Sequence, residues 1–139
     1  MYQNLLNLDI RKEIKKDKEV IAVLVFGSYA RGEDYKDIDV CLVLDKTYSN
    51  LDMSKKRLKY ASLLPSKYDI HIFQQVPVYI RKEILKDCKI VLCKDEDLLY
   101  ETAYSTIKEF NTYSRIYYGY LESMKEWKRK LTIRKYFPR

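Results

Sequence analysis

Three carboxylates and a glycine-serine pair are the residues whose types and spacing could do chemistry. The stretch Phe26-Gly27-Ser28-Tyr29-Ala30-Arg31-Gly32-Glu33 ends one apolar run, and Asp37-Ile38-Asp39-Val40 opens the next. A glycine and serine directly after a buried strand put backbone N–H groups and one hydroxyl where a phosphate can sit, and Gly27 lets the main chain approach it closely. Strand side chains alternate, so Asp37 and Asp39 project to one face, about 7 Å apart along the chain. Two carboxylates so placed repel unless a cation lies between them. Oxygen ligands with positions left open for a triphosphate suit Mg²⁺, with Mn²⁺ as the alternative, and two such ions can clamp the attacking and leaving oxygens of an in-line displacement. Asp69, at the start of a third strand, supplies a third carboxylate if that strand neighbours the second. Each feature has an ordinary reading by itself, a plain turn or a solvated strand edge. Their order along the chain favours catalysis.

The neighbours of these residues divide between functional and bland readings. Arg31 lies three residues past Ser28, within reach of a γ-phosphate, but Glu33 or Asp34 can equally hold it on the surface. His71 shares a strand face with Asp69 and could touch nucleotide or acceptor, although a lone strand histidine is more often a hydrogen-bonded spectator. The fourteen tyrosines, with Tyr113, Tyr117, Tyr118 and Tyr120 crowded near the C-terminus, fit helix packing and a partner surface at least as well as self-modification.

The elements that must position these residues follow from hydrophobic periodicity. Leu6, Ile10 and Ile14 at four-residue spacing predict an amphipathic helix over 4–17. The run from Val20 to Phe26 reads as a buried central strand, Ile38 to Leu44 as a second, Tyr68 to Gln74 as a third and Lys89 to Cys93 as a fourth. A helix capped by Asp52 or Ser54 is expected to reach Leu64 before Pro65, and Pro77 is expected to open a short helix to Lys86. From Asp95 onward Leu99, Ala103, Ile107, Phe110, Tyr117, Leu121 and Met124 step by three or four, which predicts a long helix. Continuous to Leu131 it would run about 54 Å, against a radius of gyration of about 14 Å for a compact chain of this length. It must bend near Gly119 or project. Strands interspersed with helices make the fold class α/β (α+β), in one domain over 1–139, with a core to about residue 94 and a helical, basic segment over 95–139.

Composition limits the function classes. No apolar run approaches the roughly 20 residues that span a bilayer, and Met1-Tyr2-Gln3-Asn4 lacks the order of a signal peptide, so the expectation is a soluble, cytoplasmic protein without membrane contact. Cys41, Cys88 and Cys93 have no paired metal-ligand spacing and read as buried free thiols. Of the net charge of +7, residues 125–139 hold +6, carried by Lys125, Lys128, Arg129, Lys130, Arg134, Lys135 and Arg139 against Glu126. A near-neutral body therefore carries a basic tail. With Trp127, Tyr136 and Phe137 interleaved, that tail could dock an acidic protein partner or stack on RNA. The protein partner is favoured, because no basic track leads from the tail to the acids.

Gly27-Ser28, Arg31-Gly32, Asp37-x-Asp39 and the strand acid Asp69 together resemble the minimal nucleotidyltransferase family of the polymerase-β-like nucleotidyltransferase superfamily, over Val20 to Asp95. The resemblance implies a small mixed sheet flanked by helices. It implies that Gly27 and Ser28 hold the triphosphate of ATP, that Asp37 and Asp39 bind both divalent ions, and that Asp69 completes the shell of the ion nearest the attacking hydroxyl. Members similar in size pair with a HEPN-domain ribonuclease toxin and silence it by attaching AMP to a toxin tyrosine. This chain has a single histidine and no arginine separated from it by four to six residues on its N-terminal side, so the resemblance makes it the antitoxin half. The competing expectations are a small-molecule or RNA-end acceptor, and a non-catalytic module that inhibits a partner by contact.

Overall fold

Val20–Phe26 and Ile38–Leu44 form β1 and β2, buried along nearly their whole length, as apolar runs interrupted only by Asp39 require when helices cover both faces of a sheet. In the computed structural model the backbone is described for residues 5–136 and the side chains for residues 5–131. Expectations on Met1 to Asn4, and on the side chains of Arg134, Lys135, Tyr136, Phe137 and Arg139, lie outside the described residues. Two further strands, β3 (Tyr68–Ile72) and β4 (Lys89–Cys93), complete a sheet of order β3-β2-β1-β4. β1 runs antiparallel to β2 and β4, whereas β2 and β3 are parallel, so the sheet is mixed.

The helices cover both faces. On one side, Val20, Val23 and Val25 of β1 and Val40, Leu42 and Leu44 of β2 join Ile10 and Ile14 of α1 (Leu8–Lys16) and Met53 and Tyr60 of α3 (Asn50–Leu63). On the other, Leu24, Cys41 and Val43 meet Ile84 of α4 (Val78–Asp87) and Leu98 and Leu99 of α5 (Glu96–Tyr136). Asp17, which caps the C-terminus of α1, ties the first layer together. Its Oδ2 accepts hydrogen bonds from Lys56 Nζ at 2.6 Å and Tyr60 Oη at 2.8 Å, and Lys94, just past β4, donates to the Ile14 and Asp17 carbonyls.

Several boundaries differ from the sequence expectations, each for a local reason. Helix α1 begins at Leu8 because Asn7 Oδ1 accepts from Ile10 N at 3.0 Å and caps it there. Ser49, not Asp52 or Ser54, caps α3, its Oγ accepting from Asp52 N. β3 stops at Ile72 and a 3₁₀ turn follows over Phe73–Gln75. There the Gln74 amide takes the place of the next ladder rung, accepting from Leu44 N and donating to Leu44 O. Pro77 is the N-cap of α4, one position ahead of its first turn.

Helix α5 passes through Gly119 without a break, about 60 Å in all, and therefore projects rather than bends. Its first half lies along α4: Arg81 Nη1 is 3.1 Å from Glu109 Oε2, Lys82 sits over the Phe110 ring, and Tyr79 stacks on Tyr113. The buried position of its third turn is Thr106, while Ile107 is 40% exposed, so the docked face takes Thr106 where the apolar stripe expected Ile107. Thr106 tolerates burial because its Oγ1 donates to the Thr102 carbonyl at 2.8 Å. Cys41 is buried and Cys88 and Cys93 are half-buried, all three as free thiols. Among the described residues no helix is long and apolar enough to cross a membrane.

Candidate active site

Strand register brings two of the expected acids side by side. In the parallel β2–β3 pair Asp39 stands opposite Asp69, and Cys41 opposite His71. Alternation sends Asp39, Asp69 and His71 to the face on which α4 and α5 pack, at the end of the sheet beyond their cover. One ligand atom from each of these three lies within 4.8 Å of the others. His71 Nε2 is 3.1 Å from Asp69 Oδ2 and 3.7 Å from Asp39 Oδ1, and the Phe26 ring packs edge-on to the imidazole at 5.4 Å.

Gly27 is required by this arrangement in a way that chain-local reasoning does not reveal. Phe26 pairs with Asp39 across β1 and β2, so the residue that leaves β1 passes directly over the Asp39 carboxylate. Gly27 adopts φ +76°, and a Cβ built there would overlap Asp39 Oδ2. A side chain at this position is thus disfavoured twice, by backbone conformation and because it would displace the carboxylate. The chain then makes the single turn α2 (Gly27–Ala30), whose N-cap Phe26 provides no side-chain hydrogen bond.

The electrostatics favour a cation. Asp39, half-buried, has its carboxyl pKa raised, first by burial and then by the neighbouring carboxylates of Asp69 and Asp37, with the His71 imidazole opposing. Positive charge placed between Asp39 and Asp69 would relieve that repulsion. Two carboxylates and an imidazole nitrogen, each offering one ligand atom, make a donor set that fits a divalent ion.

The remaining expected residues are distributed around this centre. Asp37 is exposed, one residue ahead of β2, outside the tight cluster yet near enough to act on Asp39. Ser28 lies in α2, half-buried. Arg31 caps the C-terminus of α2, with its guanidinium 3.1 Å from Glu33 and 3.9 Å from Asp87 of α4. Of its two sequence readings, this is the surface pairing, on a side chain exposed enough to swing away. His71 is the member of the cluster that the sequence left outside the metal set. Its i+2 spacing from Asp69 was the available signal.

Comparison with known proteins decides the family. The profile described as polymerase beta, nucleotidyltransferase matches residues 9–97, which include all of β1 to β4 and Asp37, Asp39 and Asp69. The chain belongs to this nucleotidyltransferase family. A Methanocaldococcus jannaschii protein inferred to be a protein adenylyltransferase is 38% identical over 82 residues, 58% of this chain and 62% of that protein. The chain thus spans less than two thirds of that relative's length. A second such protein of the same organism is 40% identical over 85 residues, covering 55% of this chain and 82% of the relative. Among solved structures, a chain of a toxin-antitoxin complex with AMP-PNP superposes with a TM-score of 0.64 at 19% identity, over 86% of this chain and 99% of that one. A chain of the complex of tri-AMPylated Shewanella oneidensis HEPN toxin with MNT antitoxin gives 0.61 at 19% identity, over 90% and 99%. These likenesses establish the polymerase-β-like nucleotidyltransferase fold, with the mixed sheet and flanking helices expected.

Proposed function

We propose that this nucleotidyltransferase transfers AMP from ATP to a tyrosine hydroxyl of a partner protein, in a divalent-metal-dependent reaction, and that the partner is a HEPN-domain toxin. The observation that carries the reading is the convergence of Asp39 and Asp69 beneath Gly27. The adenylyltransferase relatives and the toxin-antitoxin neighbours support the acceptor class.

In this reading Gly27 and Ser28 hold the triphosphate at the uncapped start of α2, and Arg31 exchanges its pairing with Glu33 for a terminal phosphate. Asp37, Asp39 and Asp69 are the metal-holding acids, with His71 within reach as a fourth donor. Magnesium, when bound, neutralises charge on the attacking and leaving oxygens. Asp69, the most exposed member of the cluster, is open to an approaching acceptor and takes the proton from its hydroxyl. The hydroxyl oxygen bonds to the α-phosphorus, the bond from that phosphorus to the bridging oxygen of the β-phosphate breaks, and pyrophosphate leaves. His71, hydrogen-bonded to Asp69, orients that carboxylate.

The test is transfer of label from α-labelled ATP to the toxin by the wild-type chain and by Asp39→Asn and Asp69→Asn. Transfer should require added Mg²⁺ or Mn²⁺ and be lost in both variants, with unchanged thermal melting. Full transfer in excess chelator would overturn the metal reading, and full transfer by both variants would overturn the site.

A further inference from the structure

The face of α5 that docks on the body continues, in strict heptad register, into a part of the helix that the body does not cover. Leu99, Ala103, Thr106, Phe110 and Tyr113 alternate steps of four and three, and they are the residues turned toward α4 and the sheet. The same alternation continues through Tyr117, Tyr120, Met124, Trp127 and Leu131. Because α4 begins at Val78 and Tyr79 already stacks on Tyr113, α5 runs past its neighbour from there on. Exposure follows: Thr106 is 2% exposed, whereas Tyr117 is 45%, Tyr120 60%, Met124 46%, Trp127 57% and Leu131 57% exposed. A 3.5-residue apolar repeat is the pattern that keeps one seam against a partner helix over successive turns. Here half of one seam is filled from within the chain and half is open.

The flanks of the open half specify the occupant. Lys128 and Lys130 border the seam on its two sides, and Lys130 lies over the Trp127 ring. The acids of this segment, Glu122 and Glu126, are engaged along the helix by Lys125 and Arg129. A second copy of this chain would set lysine against lysine across the pair, which disfavours self-association. We propose that the distal half of α5 binds an amphipathic helix of another protein, one whose apolar seam is bordered by glutamate or aspartate. The two helices pack knobs into holes, with Tyr120 and Trp127 as central anchors and the lysines paired to the partner's acids. No residue of the acid cluster takes part in this contact.

Trp127 is the only tryptophan of the chain, so its fluorescence reports directly on whether the seam is covered. The probe is a designed helical peptide of about four heptads, with leucine and isoleucine in the apolar positions and glutamate on both flanks. Added to the full-length protein, it should blue-shift the emission saturably, and salt should weaken the effect. A twin peptide with lysine flanks should leave the emission unchanged. Tyr120→Glu, at an exposed position, should weaken binding at least about tenfold while leaving thermal melting and metal-dependent ATP binding unaltered. Four results would overturn the proposal: no shift with the glutamate peptide, equal shifts with both peptides, sedimentation of the protein alone as a dimer with its tryptophan already buried, or a shift produced by single-stranded RNA at lower concentration than by the peptide.

Discussion

Replacing Gly27 by alanine separates backbone strain from damage to the site, because Gly32 provides a matched control. Both glycines have positive φ, +76° and +74°, but only Gly27 faces the Asp39 carboxylate, whereas a Cβ at Gly32 meets nothing within 4 Å. An L-residue in this conformation costs about 1 to 2 kcal/mol, so both variants should lose roughly 3 to 10 °C in Tm. Gly27→Ala must in addition push Asp39 aside by on the order of 1 Å, and misplacement of that size in a reacting constellation costs about 10²-fold in rate. At a temperature where both variants are folded, Gly32→Ala should retain transfer within about twofold of wild type, and Gly27→Ala should fall about 10²-fold. The assay is initial-rate transfer from α-labelled ATP beside a thermal melt. Equal transfer by the two variants would refute the argument that Gly27 exists to accommodate Asp39.

The other predictions concern separate parts of the chain. Asp17→Asn should destabilise the protein by about 1 to 3 kcal/mol near neutral pH, as expected for a carboxylate hydrogen-bonded to a charged partner, read by chemical denaturation. The Asp17 carboxyl pKa is lowered, with burial opposing and the Lys56 and Tyr60 hydrogen bonds prevailing, so its stabilisation is present above the ordinary carboxylate pKa and lost as pH falls through the lowered folded value. The variant should therefore show a smaller acid-induced loss of stability than wild type below about pH 4, and an identical loss would remove Asp17 from the account. His71→Ala should slow transfer while leaving divalent-ion binding measurable by calorimetry, and a complete loss of ion binding would make His71 a principal ligand instead. Trp127→Glu should leave metal-dependent ATP binding intact and weaken modification of a protein partner, whereas equal modification would separate the α5 seam from partner docking.

Of the strands that hold the site, β1 was legible as an unbroken apolar run, β2 as one interrupted only by Asp39, and β3 by its alternation. The strands from Val20, Ile38 and Lys89 have the same bounds in sequence and structure; β1 and β2 are buried almost throughout, whereas the edge strand β4 starts on the exposed Lys89 and Ile90. Where a side chain competes with the main chain, the reading slipped. Gln74 continues the alternation of β3, yet its amide bonds Leu44 and the strand ends two residues earlier. Ile107 is apolar and Thr106 polar, but only the three-dimensional course of α5 over α4 tells which of them faces inward. The opposition of Asp39 to Asp69 depends on the parallel pairing of β2 with β3, a long-range fact that no spacing encodes. For the same reason Gly27 could be read as a phosphate-binding glycine but not as the residue that makes room for Asp39.

The central claim, a nucleotidyl transfer centred on Asp39 and Asp69 with a protein tyrosine as acceptor, is tested most directly by intact-mass and peptide mass spectrometry of a HEPN toxin after incubation with this protein, ATP and Mg²⁺. The account predicts a toxin carrying AMP on a tyrosine, formed by the wild-type chain and absent with Asp39→Asn. A toxin that is neutralised yet carries no AMP, or one that is modified equally by Asp39→Asn, would contradict it.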